Sequence, residues 1–376
     1  MNADPWWKHA VFYEVKQTNE AVAYVGPAPP SAMDWLNDPR TIAEKLDALR
    51  SLGVDGLIVP MPDQQTGPDN FDELMREASQ RGVRILLRIE PTGASGDLAD
   101  RARSWLSRGV TGFYVATGPA GDSTNSQRLV SMLRKMESAV VGGRIVVADL
   151  PAEPSDKSGR RVIYAYAASS AVRSGDQAAA QLQIDVRDSL PNVPDAASLR
   201  QMLEEEPPGS TVLVDLQQRM DLSDATNPYA SLWKAIAAMA LTTRPVALID
   251  ADAQLSTAND SASTTLADWY RQLIALHRGN ATLRYGSATP LNFDTQNALV
   301  WVSRASAGTG LAVPVVVACN LSSTPIQLSL GSGMRELNLH GSFLRTLLRT
   351  DTGMGPQDLN SVEVPAYGVY IGELHR

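Results

Sequence analysis

A single cysteine, Cys319, stands in the whole sequence, so no internal disulfide can form. It lies in the apolar run VPVVVAC, where a thiol serves as a small hydrophobe, and one such residue fits a reducing compartment. No run of about 18 apolar residues is present, which excludes a membrane-spanning helix. The longest uncharged apolar segment, 235–243, is too short. The opening MNADPWWKHAVFYEV has no basic n-region, no apolar h-region and no small-residue cleavage site. It is not read as a signal peptide, and a cytoplasmic location is expected. Positive charge is in deficit: 33 Lys and Arg face 41 Asp and Glu, for a net charge of −8. With no Lys/Arg stripe, nucleic acid is not an expected partner. The pair Arg160–Arg161 reads as a solvated loop. Histidine is scarce, with 4 in the chain, and none clusters with other ligand types. No metal site and no cofactor are therefore expected. No G-x-G-x-x-G follows a strand, which argues against an open dinucleotide-binding sheet.

What is present is ordinary soluble-protein composition, 44% hydrophobic and 20% charged over 376 residues. That length holds more than one typical core. The first two-thirds alternates short apolar runs with amphipathic stretches. Strands are predicted at Val11–Val15, Gly56–Pro60, Arg84–Glu90, Gly112–Thr117, Arg144–Leu150, Gln181–Val186, Thr211–Leu216 and Pro245–Asp250. Between them, helices are predicted from Thr41 to Gly53, Phe71 to Gly82, Asp97 to Gly109, Asn125 to Val140, Ala196 to Glu205, Tyr229 to Thr242 and Thr264 to His277. Thr41 with Glu44 reads as a capping box and Asn125 as an N-cap. The strands do not alternate polar with apolar, as expected when both faces are buried. Eight strand–helix repeats in about 280 residues predict a (β/α)₈ barrel. The run Arg161–Arg173 is ambiguous, because it sits where a fifth helix belongs yet begins with β-forming residues. After Gly279 the texture changes to ALVWVSR, VPVVVACN, TPIQLSL, FLRTLLR and GVYIGEL, separated by Gly, Ser, Asn and Pro, which predicts a small antiparallel β domain. The expected domains are 1–283 and 284–376.

Several segments carry a resemblance. WWKHAVFYEV, TIAEKLDALRSLGVDGLIVPMP, FDELMREASQRGVRILLRIEPTGAS, ARSWLSRGVTGFYVATG, WYRQLIALHRGNATLRYG and EVPAYGVYIGEL follow one another as the corresponding segments do in the α-amylase family, glycoside hydrolase family 13. The resemblance spans most of the chain. It implies a barrel followed by a C-terminal β domain, and chemistry on α-glucosides. Glycosidases of this kind place a nucleophilic carboxylate and an acid carboxyl about 5–5.5 Å apart, so that one reaches carbon while the other reaches the leaving oxygen.

Matched to the family's motifs, this chain departs at most positions. The third-strand motif D-x-x-x-N-H falls on Arg88, Thr92 and Gly93. The fourth-strand motif G-F-R-x-D falls on Gly112-Phe113-Tyr114-Val115-Ala116, so alanine stands where the resemblance implies the nucleophile and Tyr114 where it implies the orienting arginine. The acid glutamate's place is held by Asp149. The seventh-strand motif N-H-D falls on Val214, Asp215 and Leu216. Only ten residues separate Pro60 from Phe71, and the loop after the third strand is short, so the insertions that line the sugar pocket and often bind calcium in the family are missing.

Two readings stand side by side. In the first, the barrel is catalytically degenerate and has a carbohydrate-related binding or scaffold role, with a sugar or a protein as partner; non-catalytic relatives are known in the family. Arg88 is then expected to pair with Glu90, Asp149 or Asp215 in an ion network filling the old pocket, which makes a poor general acid. In the second, relocated carboxylates, Glu90 with Asp149, act as a glycoside hydrolase or transglycosidase. A relic with no ligand is a third possibility that sequence leaves open. Trp35, in the long first loop, is the candidate ligand contact; loop anchoring is its bland alternative.

Overall fold

The computed structural model describes residues 6–15, 39–62, 68–89, 96–116, 123–138, 144–151, 160–167, 182–187, 210–214, 247–250, 261–292, 297–305 and 312–376, with short pieces between 196 and 243. The chain divides into two compact units, 1–188 with 248–256, and 189–247 with 257–376.

In the first unit, strand β1 (Val11–Glu14) follows a 3₁₀ turn at Trp6–His9. Then come α1 (Pro39–Leu52), β2 (Gly56–Pro60), α2 (Pro68–Gln80), β3 (Arg84–Ile89), α3 (Gly96–Arg108), β4 (Gly112–Val115), α4 (Ser123–Ser138) and β5 (Ile145–Pro151). Each helix turns one apolar stripe inward: Leu46, Leu49 and Leu52 on α1, Phe71, Leu74 and Ala78 on α2, Ala102, Trp105 and Leu106 on α3. This is the i, i+3, i+4, i+7 spacing that gathers side chains on one face. Phe71 meets the edge of Trp105 at 4.6 Å between ring centres. Gly53, Gly82 and Gly109 end α1 to α3 with φ of 102°, 68° and 104°, the left-handed stop expected from sequence.

The helix starts differ from expectation. α1 and α2 begin at Pro39 and Pro68, because proline suits the first helical position, where the missing N–H costs nothing. Thr41 therefore lies inside the first turn of α1 and does not cap it. Asn125 likewise lies inside α4, which starts at Ser123.

Strands β1 to β5 pair in parallel, each with the next. The residues of β1 to β4, and Ile145–Ala148 of β5, are almost wholly buried on both faces, which explains the continuous apolar runs. Gly112 is required where β4 meets β5, since a Cβ there would stand 1.9 Å from the Ile145 carbonyl oxygen.

The strand–helix alternation breaks after β5. Residues Arg160–Ala167 form a strand, β6, antiparallel to β5 and to β7 (Leu182–Arg187). Thus the ambiguous run opens as a strand where a helix was the regular choice, and Arg160–Arg161 belongs to that strand, not to a loop. Valine, isoleucine and tyrosine in RRVIYAYA favour the extended backbone. Strand β8 (Ser210–Val214) lies in the second unit, while β9 (Ala247–Asp250) neighbours β1. The fold class is nevertheless the expected one: an α/β barrel of the (β/α)₈ kind, here with an inserted antiparallel strand, followed by antiparallel β structure.

The second unit contains α5 (Ser261–Gly279), α6 (Ala281–Tyr285), β10 (Gly286–Pro290), β11 (Ala298–Ala305), β12 (Val315–Asn320), β13 (Ile326–Leu328), a short α7 (Gly331–Glu336) that sequence did not announce, β14 (Phe343–Arg349), β15 (Gln357–Asp358), β16 (Val362–Val364) and β17 (Val369–His375). Six strands form an antiparallel sheet in the order β10-β11-β12-β17-β14-β15, and β13 pairs with β16. Val300, Val302, Val316, Ala318 and Tyr370 build its core. Trp301 is fully buried and donates from Nε1 to the Thr242 hydroxyl at 3.1 Å, so its polar edge is satisfied. His277, also buried, contacts the Leu241 carbonyl through Nδ1 at 2.9 Å. Asn280 caps α6 through its side-chain oxygen and donates from Nδ2 to Glu373 at 3.1 Å.

Candidate functional site

In a parallel α/β barrel, functional side chains gather at the carboxyl ends of the strands. The register of β2 to β5 fixes which residues stand level there: Pro60 beside Arg88, Arg88 beside Tyr114, and Tyr114 beside Val147. On strand β1, Glu14 stands two residues below that level, beside Ile58, which is itself level with Leu86. Because side chains alternate across a strand, Glu14 and Arg88 share one face of the sheet across β2. They meet there. The Arg88 guanidinium donates from Nη1 to Glu14 Oε1 at 3.0 Å. The side chains retain 16% and 9% exposure, so the pair is largely withdrawn from water.

Glu14 is the strand-end residue that sequence reasoning passed over. A signal existed: it is the one charged residue in the strand VFYE, and an acidic side chain in a buried strand is rarely left without a partner. The expected partners were Glu90, Asp149 and Asp215, all later in the chain.

Tyr114 and Ala116 are both buried, each 4% exposed. Backbone bonds continue past the strands and hold this rim: Ala116 N–H donates to Ile89 O at 2.9 Å, Met61 N–H to Arg88 O at 3.0 Å, and Val15 N–H to Ile58 O at 2.8 Å. Asp149 is on β5, two residues beyond Val147 and paired in register with Ile163 of β6. Glu90, Thr92, Gly93, Asp215, Leu216 and Trp35 lie outside the described residues.

Chemically, the described side chains at the ends of β1 to β4 offer one carboxylate, Glu14, engaged with a guanidinium, together with the tyrosine and the alanine at the end of β4. Retaining glycosidase chemistry needs two carboxyls in different protonation states. Among the described residues no group of three or more His, Cys, Asp and Glu is placed to hold a metal ion. Nor is any described helix long and apolar enough to cross a membrane.

No protein-family model matches the chain, and no curated protein matches it. Solved structures do. A variant of MutB, a trehalulose synthase, from crystals soaked with trehalulose is 14% identical, with a TM-score of 0.61 over 98% of this chain and 100% of the other. A debranching enzyme from Nostoc punctiforme is 15% identical, with a TM-score of 0.59 over 98% of each chain. An isomaltulose synthase from Klebsiella sp. LX3 is 13% identical, with a TM-score of 0.61 over 98% of this chain and 99% of that one. These likenesses run nearly end to end and show a shared fold: the barrel with its following β structure, as expected from the sequence resemblance.

Proposed function

We propose that this chain is a degenerate member of the α-amylase family that binds carbohydrate, or serves as a scaffold for another protein, without hydrolysing glycosidic bonds. The family assignment rests on the order of resembling segments together with the shared fold. Three proteins of that fold are a trehalulose synthase, a debranching enzyme and an isomaltulose synthase, which supports sugar as the ligand class. The observation that carries the loss of hydrolysis is Ala116. It stands at the nucleophile's position, buried, with a methyl group that cannot attack an anomeric carbon. The Glu14–Arg88 pair supports the same reading, because a carboxylate held by a guanidinium is a poor proton donor. The proposal keeps the division into 1–283 and 284–376 as functional domains, a cytoplasmic location, and no role for nucleic acid.

A second reading has one observation in its favour. Asp149 stands on β5 just beyond the level of Tyr114, where a strand-end acid would be placed. With Glu90 it would form a relocated pair acting on α-glucosides. Hydrolysis of nitrophenyl α-glucosides and maltooligosaccharides by the purified protein, beside Asp149→Asn, separates the two. The degenerate reading expects no turnover above buffer from either protein. Turnover that disappears in Asp149→Asn would overturn it and place a working acid at Asp149.

A further inference from the structure

Sulfur chemistry on this chain is divided between a hidden thiol and a displayed thioether. Cys319 is fully buried on β12, between Leu299 of β11 and Val369 of β17 in the register of the sheet. Burial pushes its thiol well above the ordinary range, which withholds the thiolate that oxidants attack. Met354, in contrast, is 91% exposed. It projects from the turn between β14 and β15, and that turn is held firmly. Arg349 grips Asp351 with Nε at 2.6 Å and Nη2 at 2.7 Å. The Gly353 N–H donates to Asp351 Oδ1 at 3.3 Å. The Thr346 hydroxyl donates to the Gly355 carbonyl, and Gly355 takes a φ of 103° that a side chain would strain. The backbone on both sides of Met354 is thereby fixed while its own side chain packs against little. Of the other described methionines, Met239 and Met334 are buried, at 2% and 1% exposure, and Met61, Met75, Met132 and Met136 are partly covered, which leaves Met354 the most exposed among them.

We propose that Met354 is a reversible oxidation site, the place where this chain reacts with hydroperoxides in preference to Cys319. The thioether sulfur attacks one peroxide oxygen. A sulfur–oxygen bond forms as the oxygen–oxygen bond breaks, and the departing oxygen takes a proton to leave as water or an alcohol. Sulfur loses two electrons and the peroxide gains them. The product sulfoxide is polar, and methionine sulfoxide reductases return it to the thioether. At Met354 the new dipole meets water, so nothing in the fold resists it. At Met334, packed with Leu291 and Leu330, the same change would put that dipole in an apolar core.

The test is graded hydrogen peroxide treatment of the full chain, followed by peptide mass spectrometry and circular dichroism, beside Met354→Leu. The expected result is a first phase in which the Met354 peptide gains a single oxygen while the Met239, Met334 and Cys319 peptides do not. The fold signal should stay unchanged, and the two sulfoxide reductases together, one for each epimer at sulfur, should reverse the gain. Met354→Leu, which keeps the fold, should lack that phase. Oxidation of Cys319, or of any other methionine, as early as Met354 would overturn the proposal. So would a modified Met354 that the two reductases cannot restore.

Discussion

The two ends of the parallel sheet handle charge in different ways. At the amino end, the Asp55 carboxylate accepts from the Val11 N–H at 3.0 Å, and its backbone bonds Val11 and Arg84, so one residue, by side chain and backbone together, ties β1 and β3 at their starts just before β2. Arg84 lies over the Trp6 ring at 4.3 Å, and Arg50 approaches Asp55 at 3.8 Å near the surface. At the carboxyl end, Arg88 and Glu14 meet inside, with far less water. Charge at the first end is directed at backbone and ring faces and is partly wet; at the second it runs from side chain to side chain and is largely desolvated. In barrels of this kind the carboxyl end of the sheet is where sites are built and the amino end serves stability. The contrast implies different costs when each is broken.

The largest effect is expected at the carboxyl end. Arg88→Leu or Glu14→Leu alone strands a buried charge and should cost about 3–5 kcal/mol in urea unfolding, whereas Glu14→Leu with Arg88→Leu should lie close to the parent. Single changes no worse than surface substitutions would erase the contrast. Next comes Asp55→Ala, which removes a charged acceptor from the Val11 N–H and should cost about 1–3 kcal/mol, with Asp55→Asn recovering part of that loss. A cost above that of Arg88→Leu would reverse the order of the two ends. Smallest is Trp6→Leu. Loss of the cation–π contact with Arg84 at an accessible site should lower stability by about 0.5–1 kcal/mol beyond the packing change, read as the coupling in a double-mutant cycle with Arg84→Gln.

Much of the fold was legible in the chain, and particular residues show why. Glycines after amphipathic stretches marked the ends of α1, α2 and α3, because a left-handed backbone selects glycine. Uninterrupted apolar runs marked β1 to β5, because both of their faces are covered. Helix starts were less legible: Thr41 and Asn125 look like caps by residue type, but proline at Pro39 opens α1 earlier and α4 opens at Ser123. Strand β6 was half legible, since its tyrosines and branched residues competed with a barrel rhythm that asked for a helix. The site divides in the same way. Tyr114 and Ala116 are legible as the buried end of an apolar strand. The partner of Arg88 is not, because Glu14 lies 74 residues away and only the parallel register brings the two together.

The most direct test of the proposed loss of chemistry is covalent trapping. An activated fluoro-α-glucoside, which arrests retaining glycosidases as a glycosyl ester on their nucleophile, would be incubated with the protein and the intact mass measured. The proposed reading, in which Ala116 takes the nucleophile's place, expects no glycosyl adduct at any time or concentration. A single adduct mapped by peptide sequencing to Glu90, Asp149 or another carboxylate at the strand ends would contradict the account and identify a relocated nucleophile.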